Sequence, residues 1–158
     1  MFNVEYINPF ISATLQSLEV MALLRATRGA PFAKADTLAR GDISGVIGLA
    51  GEATGSIAIT FPTALAARIY SQMVGEEVSE ITDEVKDAVG EVANMIAGGA
   101  KAALAQKGFT FRIAIPSIVV GTNHTITHKG RGPCLVVPFH VDEQTFWLEV
   151  SFDAAKAA

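Results

Sequence analysis

Residues 82–107 read TDEVKDAVGEVANMIAGGAKAALAQK, and their spacing predicts one long helix. Thr82 offers an N-cap, with Asp83 and Glu84 in the first turn, where carboxylates complement the unpaired N–H groups and the positive end of the helix dipole. Val85, Val89, Val92, Ile96, Ala100 and Ala103 recur at helical intervals, so at about 100° per residue they fall on a single apolar stripe. The same rotation places Asp87, Glu91, Asn94 and Gly98 within an arc of about 60° on the opposite side, with Gly90 close beside it. The expected element is a rod with one face in a core and a narrow polar ridge on the other.

Glycine is about 1 kcal/mol less favourable than alanine inside a helix, so Gly90, Gly98 and Gly99 require a reason. One reason is a kink at Gly98-Gly99 or a close helix crossing, with the ridge merely solvated. The other is that a partner must come near the backbone to meet Glu91 and Asn94. Spacing alone does not choose between them, because an acid and an amide three residues apart occur on many solvated helix faces.

At 158 residues, half of them apolar, the chain is expected to be one domain, 1–158, with a core that needs neither disulfide nor metal. The single cysteine, Cys134, cannot form an internal disulfide, which agrees with a reducing cytoplasm. A net charge of −4 and the absence of any Lys/Arg cluster argue against nucleic-acid binding. No apolar run approaches the roughly 20 residues that a membrane span requires, and the first charged residue, Glu5, leaves no basic leader segment. The expectation is a soluble, cytoplasmic protein.

Outside the central helix, Val4 to about Ala26 reads as a first amphipathic helix, with Ile7, Phe10, Ile11, Thr14, Leu15, Leu18, Met21 and Ala22 on one side. Asn8-Pro9 marks either its true start or an irregular first turn. Glu5 and Asn8 repeat the acid-amide spacing, but a residue before proline is pushed away from helical geometry, so the pair is not expected to project together. Gly29-Ala30-Pro31 ends the element. Strands are expected at Phe32–Leu38, Ile43–Ala50 and Ser56–Phe61, the last two forming a hairpin through Gly51 to Gly55. Those glycines fit neither a P-loop nor a dinucleotide fingerprint, and a strand follows them. Pro62 opens a short helix, Thr63–Val74, that Gly75 stops. Strands resume at Phe109–Ile113 and Ser117–Val120. After a polar run, Thr122–His128, come Cys134–Val141 and Thr145–Phe152, joined at Asp142-Glu143-Gln144. Pro116 and Pro138 belong at an edge, a bulge or a strand end, and an exposed edge here would suit pairing with a second subunit. The fold class is α+β: a largely antiparallel sheet with two long helices and one short helix layered on it.

Other candidate chemistry is weak. His124 and His128 are four apart in strand or loop, where four residues span about 13 Å and cannot share an ion. His140 reads as a packed or surface histidine, Cys134 has no local partner to lower its pKa, and Phe146-Trp147 reads as core and surface of a strand.

Asp87-x-x-x-Glu91-x-x-Asn94, set in Val89-Gly90-Glu91-Val92-Ala93-Asn94-Met95-Ile96-Ala97-Gly98 and followed by Pro116-Ser117-Ile118-Val119-Val120-Gly121, resembles the CheC/CheX/FliY family of chemotaxis phosphatases. Asn8-Pro9-Phe10, Val46-Ile47-Gly48-Leu49 and Met73-Val74-Gly75 extend the resemblance over nearly the whole chain. The single intact motif and the length look most like the CheX branch. The resemblance implies dephosphorylation of a CheY-type response regulator at its aspartyl-phosphate. Glu91 would pair with a lysine of the regulator's site, and Asn94 would enter that site and orient the attacking water. Asp87 would be supportive, and Gly90 and Gly98 would permit close docking. It also implies that magnesium comes with the regulator, that this chain holds no metal or other cofactor, and that it forms a homodimer. CheC-type members can carry a second motif on the first helix; Ser12-x-x-x-Gln16-x-x-Glu19 does not reproduce it, so one site per chain is expected. The reading from another class is a non-catalytic dimeric adaptor that binds or sequesters a phosphorylated receiver.

Overall fold

The computed structural model describes residues 4–51, 54–122, 124–128 and 133–153. Three helices, α1 (Val4–Ala22), α2 (Thr63–Val74) and α3 (Asp83–Ala105), lie on one face of an eight-stranded antiparallel sheet. Its strands are β1 (Thr27–Arg28), β2 (Phe32–Ala33), β3 (Ile43–Gly51), β4 (Thr54–Phe61), β5 (Phe111–Ile113), β6 (Ser117–Val120), β7 (Cys134–Val141) and β8 (Gln144–Asp153). Neighbours follow the order β1-β7-β8-β4-β3-β5, with β2 also on the outer side of β7 and β6 on the outer side of β3. This is the expected α+β class. Both sheet borders are thus short, interrupted strands among the described residues.

Alternation decides which side of each strand meets the helices. Ile43 and Ile47 of β3, Ile57, Ile59 and Phe61 of β4, Val137 and Phe139 of β7, and Phe146, Leu148 and Val150 of β8 are fully buried in the helix-side core. Two contacts set how near the helices come. A Cβ on Gly45 would lie 3.1 Å from Ala93 Cβ of α3, and one on Gly99 would lie 3.1 Å from Ala13 Cβ of α1. Gly99 therefore marks a close helix crossing; α3 runs as one helix through Gly98-Gly99.

Helix ends follow local chemistry, with instructive departures. Thr82 caps α3 by accepting from the Val85 N–H at 3.2 Å. The α3 stripe ends on buried Leu104 rather than on half-buried Ala103. The first N–H of α2 is capped from a distance, since Asp42 Oδ2 accepts from Thr63 N and Oγ1 at 2.8 and 2.9 Å. Gly75 ends α2 at φ 78°. Helix α1 stops at Ala22, not near Ala26, because Leu23 turns to φ 54° while its N–H donates to the Glu19 carbonyl. That left-handed conformation costs a residue with a Cβ roughly 1–2 kcal/mol. Asn8 and Pro9 lie inside α1 instead of marking its start. The preceding-proline argument against a helical Asn8 is overridden, and Asn8 is an exposed helical residue.

Strand bounds also shift: β5 begins at Phe111 rather than Phe109. The strand predicted for Phe32–Leu38 ends at Ala33, because Asp36 turns its side chain onto the Leu38 N–H at 3.0 Å. Residues 124–128 of the polar run cross the sheet's second face, with Ala39 N donating to the His124 carbonyl and Ile126 N to the Thr37 carbonyl. The centre of the Gly51 to Gly55 turn lies outside the described residues. Pro138 sits where β1 gives way to β2, and its carbonyl accepts from Gly29 N at 2.8 Å. Its missing N–H is on that same interrupted side, as a strand proline requires.

Replacing Gly45 with valine should force α3 away from β3 and lower unfolding free energy by about 1–3 kcal/mol. Urea denaturation of the variant beside the wild type reads this directly.

Candidate functional site

The ridge predicted on α3 is present. Asp87, Glu91 and Asn94 are exposed on a continuous helix whose opposite side, Val85, Val89, Val92, Ile96 and Ala100, is fully buried. Among the described residues none of the three makes a side-chain hydrogen bond or ion pair, so their polar groups face solvent and are open to a partner. Buried neighbours on the same rod fix where they point. An acid and an amide three residues apart on such a rod project together with little entropy left to lose.

The two flanks of the ridge differ. Gly90 is buried, and a Cβ there would lie 3.6 Å from Ile118 Cδ1 and 3.8 Å from Pro116 Cγ. The approach it permits is thus that of its own chain, which brings the Pro116-Ser117 corner beside Asn94's turn. At Gly98 a Cβ would meet nothing within 4 Å, so the helix surface there is open. On the other flank, Asn94 shares the lining of a groove of about 330 Å³ with Met95, Gly98 and Gly99 of α3 and with Ala13, Gln16, Ser17 and Val20 of α1. Of the motif-like residues on α1, Glu5 and Asn8 are exposed; Asn8 lines a separate groove with Gln106 and Lys107 at the far end of the helix pair.

Sequence inspection missed a second polar assembly, on the sheet face away from the helices. Glu149 is 2% exposed, and its Oε1 accepts from Lys34 Nζ at 2.7 Å and from His128 Nε2 at 2.9 Å. The Cys134 thiol lies 3.8 Å from the same oxygen, and Ser56 Oγ lies 2.6 Å from His128 Nδ1. Beside it, Ser44 Oγ is 2.6 Å from both Thr60 Oγ1 and His124 Nε2, while His124 Nδ1 donates to the Gly121 carbonyl. The two histidines therefore bind different sheet residues. The available signal was Glu149 itself, a charge in the middle of an apolar strand; its partners come from separate elements. His128, Cys134 and Glu149 place ligand atoms within 4.8 Å of one another, the spacing a metal would require. Lys34 already supplies the positive charge there, which makes the group a satisfied ionic network. His140 is exposed, its Nδ1 3.1 Å from Thr145 Oγ1.

Titration behaviour follows from that network. Burial pushes the Glu149 carboxyl upward, but hydrogen bonds from His128 and Lys34 and the lysine charge outweigh burial and hold it below the ordinary range. Burial, with the Glu149 charge beside it, pushes the Cys134 thiol up to about 12.

The chain matches the family model described as Chemotaxis phosphatase CheX over residues 43–140. It belongs to the CheX family of chemotaxis phosphatases. The match contains the whole of α3 and its ridge. The chain is 32% identical over 108 residues to the CheY-P phosphatase CheX of Thermotoga maritima, covering 67% of this chain and 68% of that one. A CheC-like superfamily protein from Shewanella superposes with TM-score 0.90 at 43% identity, over 96% of this chain and 99% of that one. The CheX from Borrelia burgdorferi, solved with CheY, beryllofluoride and magnesium, superposes with TM-score 0.79 at 32% identity, over 95% and 99%. Among the described residues, no helix is long and apolar enough to cross a membrane.

A depressed carboxyl stabilises the fold above its unfolded value of 4.5, and that stability is lost as pH falls through the lower folded value. Wild-type stability should therefore drop below about pH 4.5, whereas Glu149→Gln should be less stable at pH 7 and change less on acidification. Urea midpoints from pH 7 to pH 3 test both signs. Cys134 should resist iodoacetamide at pH 8 in the folded protein and react on denaturation.

Proposed function

We propose that the chain hydrolyses the aspartyl-phosphate of a CheY-type response regulator, with Glu91 and Asn94 entering the regulator's site together. The observation that carries this reading is the pair itself: solvent-facing, without partners among the described residues, and held by a helix anchored on three sides. Kinship with a CheY-P phosphatase and with a CheX solved in complex with CheY supports the choice of substrate.

Glu91 presents a carboxylate to the lysine of the receiver's acidic pocket, which locates α3 and draws that cation from the phosphoryl group. Asn94 offers both hydrogen-bonding functions of an amide. Its carbonyl oxygen accepts from a water and aligns the water's lone pair with phosphorus, and its NH₂ donates towards the phosphoryl oxygens. Water forms the new P–O bond while one of its protons passes to a phosphoryl oxygen, the bond to the receiver's aspartate breaks, and the aspartate leaves as carboxylate beside dihydrogen phosphate. Phosphoryl transfer depends on placement and charge stabilisation more than on a strong base, so a neutral group suffices. A carboxylate at position 94 would repel the same oxygens. Asp87, one turn earlier, adds to the field that draws the receiver's lysine. Gly98 keeps the ridge low enough for the helix to enter. Magnesium arrives with the receiver, whose acidic pocket is its site. The chain acts as a homodimer in this reading, with the interrupted border at β6, where Val120 is 46% exposed, as the place for a second copy; sedimentation equilibrium tests the stoichiometry.

Asn94→Ala should lower turnover about a hundredfold or more with little change in receiver affinity. Asn94→Asp should not restore it. Glu91→Ala should weaken docking by about ten- to a hundredfold, the worth of a charged hydrogen bond. Release of phosphate from purified phospho-receivers checks all three. An unaccelerated rate with wild-type protein would instead make it a receiver-binding adaptor.

A further inference from the structure

Beside the polar ridge the helices expose apolar side chains that the hydrolytic reading does not use. Val20 is 63% exposed, Leu23 76% and Met95 44%. Val20 and Met95 line the same groove as Asn94. Helices α1 and α3 run antiparallel, since Asn8 shares a groove with Gln106, Ala13 meets Gly99, and Val20 shares a groove with Asn94. Leu23 follows directly on the end of α1, three residues past Val20. The apolar surface of Val20 and Met95 is therefore continuous with Asn94 and lies on the flank that β6 does not cover.

Leu23 carries a second signal. It holds the left-handed position that ends α1, at φ 54°, and the equivalent position ending α2 is Gly75 at φ 78°. Glycine would sit there without strain. A leucine in that place gains nothing from the core, because three quarters of it is in solvent. Strain retained at an exposed apolar residue beside a site points to a contact made outside the chain. Gln16, Glu19 and Arg25 surround the patch with polar groups, Glu19 and Arg25 being 3.9 Å apart, which is the arrangement of an interface centre with a hydrated rim.

We infer that Val20, Leu23 and Met95 form an apolar seat for the phosphorylated receiver, which meets the receiver surface bordering the acidic pocket while Glu91 and Asn94 enter that pocket. The inference rests on the proposed hydrolytic site and adds what holds the partner there. Ridge charges alone would be drawn to any accessible lysine; the apolar seat makes the chain selective for receivers with a matching apolar border.

The test pairs binding with turnover. A CheY-type receiver that the wild type dephosphorylates is trapped with magnesium and beryllofluoride and titrated by calorimetry, and its phosphorylated form is used for phosphate release. Leu23→Gly should melt at the wild-type temperature or above it, yet raise Kd and KM about tenfold, the value of one buried leucine. Val20→Ser should weaken binding in the same sense, and Val74→Ser, exposed on α2 away from the site, should not. Wild-type Kd for both Leu23→Gly and Val20→Ser overturns the inference. So does a Leu23→Gly protein that turns from dimer to monomer on sedimentation while binding receiver normally, because the surface would then face a second copy. Full activity in Asn94→Ala sinks the hydrolytic reading instead, and the calorimetric arm still decides the seat.

Discussion

Two contacts between small residues, Gly45 against Ala93 and Gly99 against Ala13, fix the position of α3, and the rest of the molecule depends on them. Each lets two backbones approach with only an alanine methyl between them, so α3 is seated deep between β3 and α1. A helix seated that deeply buries most of its circumference and leaves only a narrow exposed arc. Asp87, Glu91 and Asn94 occupy that arc. The poor helix propensity of glycine is thus a local cost that the tertiary packing offsets, and the packing in turn gives the ridge its fixed direction.

The sheet divides the molecule's tasks between its faces. The helix side is almost wholly apolar and supplies the hydrophobic stability. The other side buries Ser44, Ser56, Thr60 and Glu149; Ser44, Ser56 and Glu149 are answered by histidines of the segment crossing above or by Lys34, and Thr60 by Ser44. Such a network adds little net free energy over an apolar alternative, but it accepts one arrangement of the crossing segment and rejects others. Glu149 is the centre of that selection, because three donors converge on one oxygen. The elevated thiol of Cys134 belongs to the same arrangement and is shielded from the chemistry that exposed cysteines undergo.

How much of this is legible in the sequence follows from the range of the interactions involved. Helix α3, its cap at Thr82 and its polar ridge are readable because periodicity and capping are local, and a 23-residue helix gives the pattern room to declare itself. The β7–β8 hairpin is readable for the same reason. The end of α1 falls four residues before the expected one because the usual marker, a glycine, is replaced by Leu23. Asn8 is helical against expectation because proline's effect on its neighbour is a tendency that burial of Ile7 and Phe10 overrides. Asp36 ends β2 through a side-chain turn that apolar patterning does not register. The Lys34–Glu149–His128 network is invisible, since it joins residues 115 and 21 positions apart that have no reason to meet until the sheet exists. For the site, the residues are legible and their surroundings are not: nothing in the order of letters places Val20 beside Asn94, or gives Gly90 to its own β6.

The same separation explains how so spare a site can work. No general base of altered pKa, bound metal or enclosed pocket is needed on this chain if the reacting group, its cation and its acid pocket all belong to the partner. What the chain has to contribute is direction, and direction is what a deeply seated helix supplies. An amide on a loop would have to be ordered at each encounter, at a cost of about 1–2 kcal/mol of backbone entropy per residue fixed. On α3 that ordering is complete once the chain has folded, through Gly45, Ala93, Gly99 and Ala13. In the proposed mechanism the residues that would make Asn94 effective are therefore ones a partner never touches, and a change at Gly45 would reach the reaction through the angle of a helix.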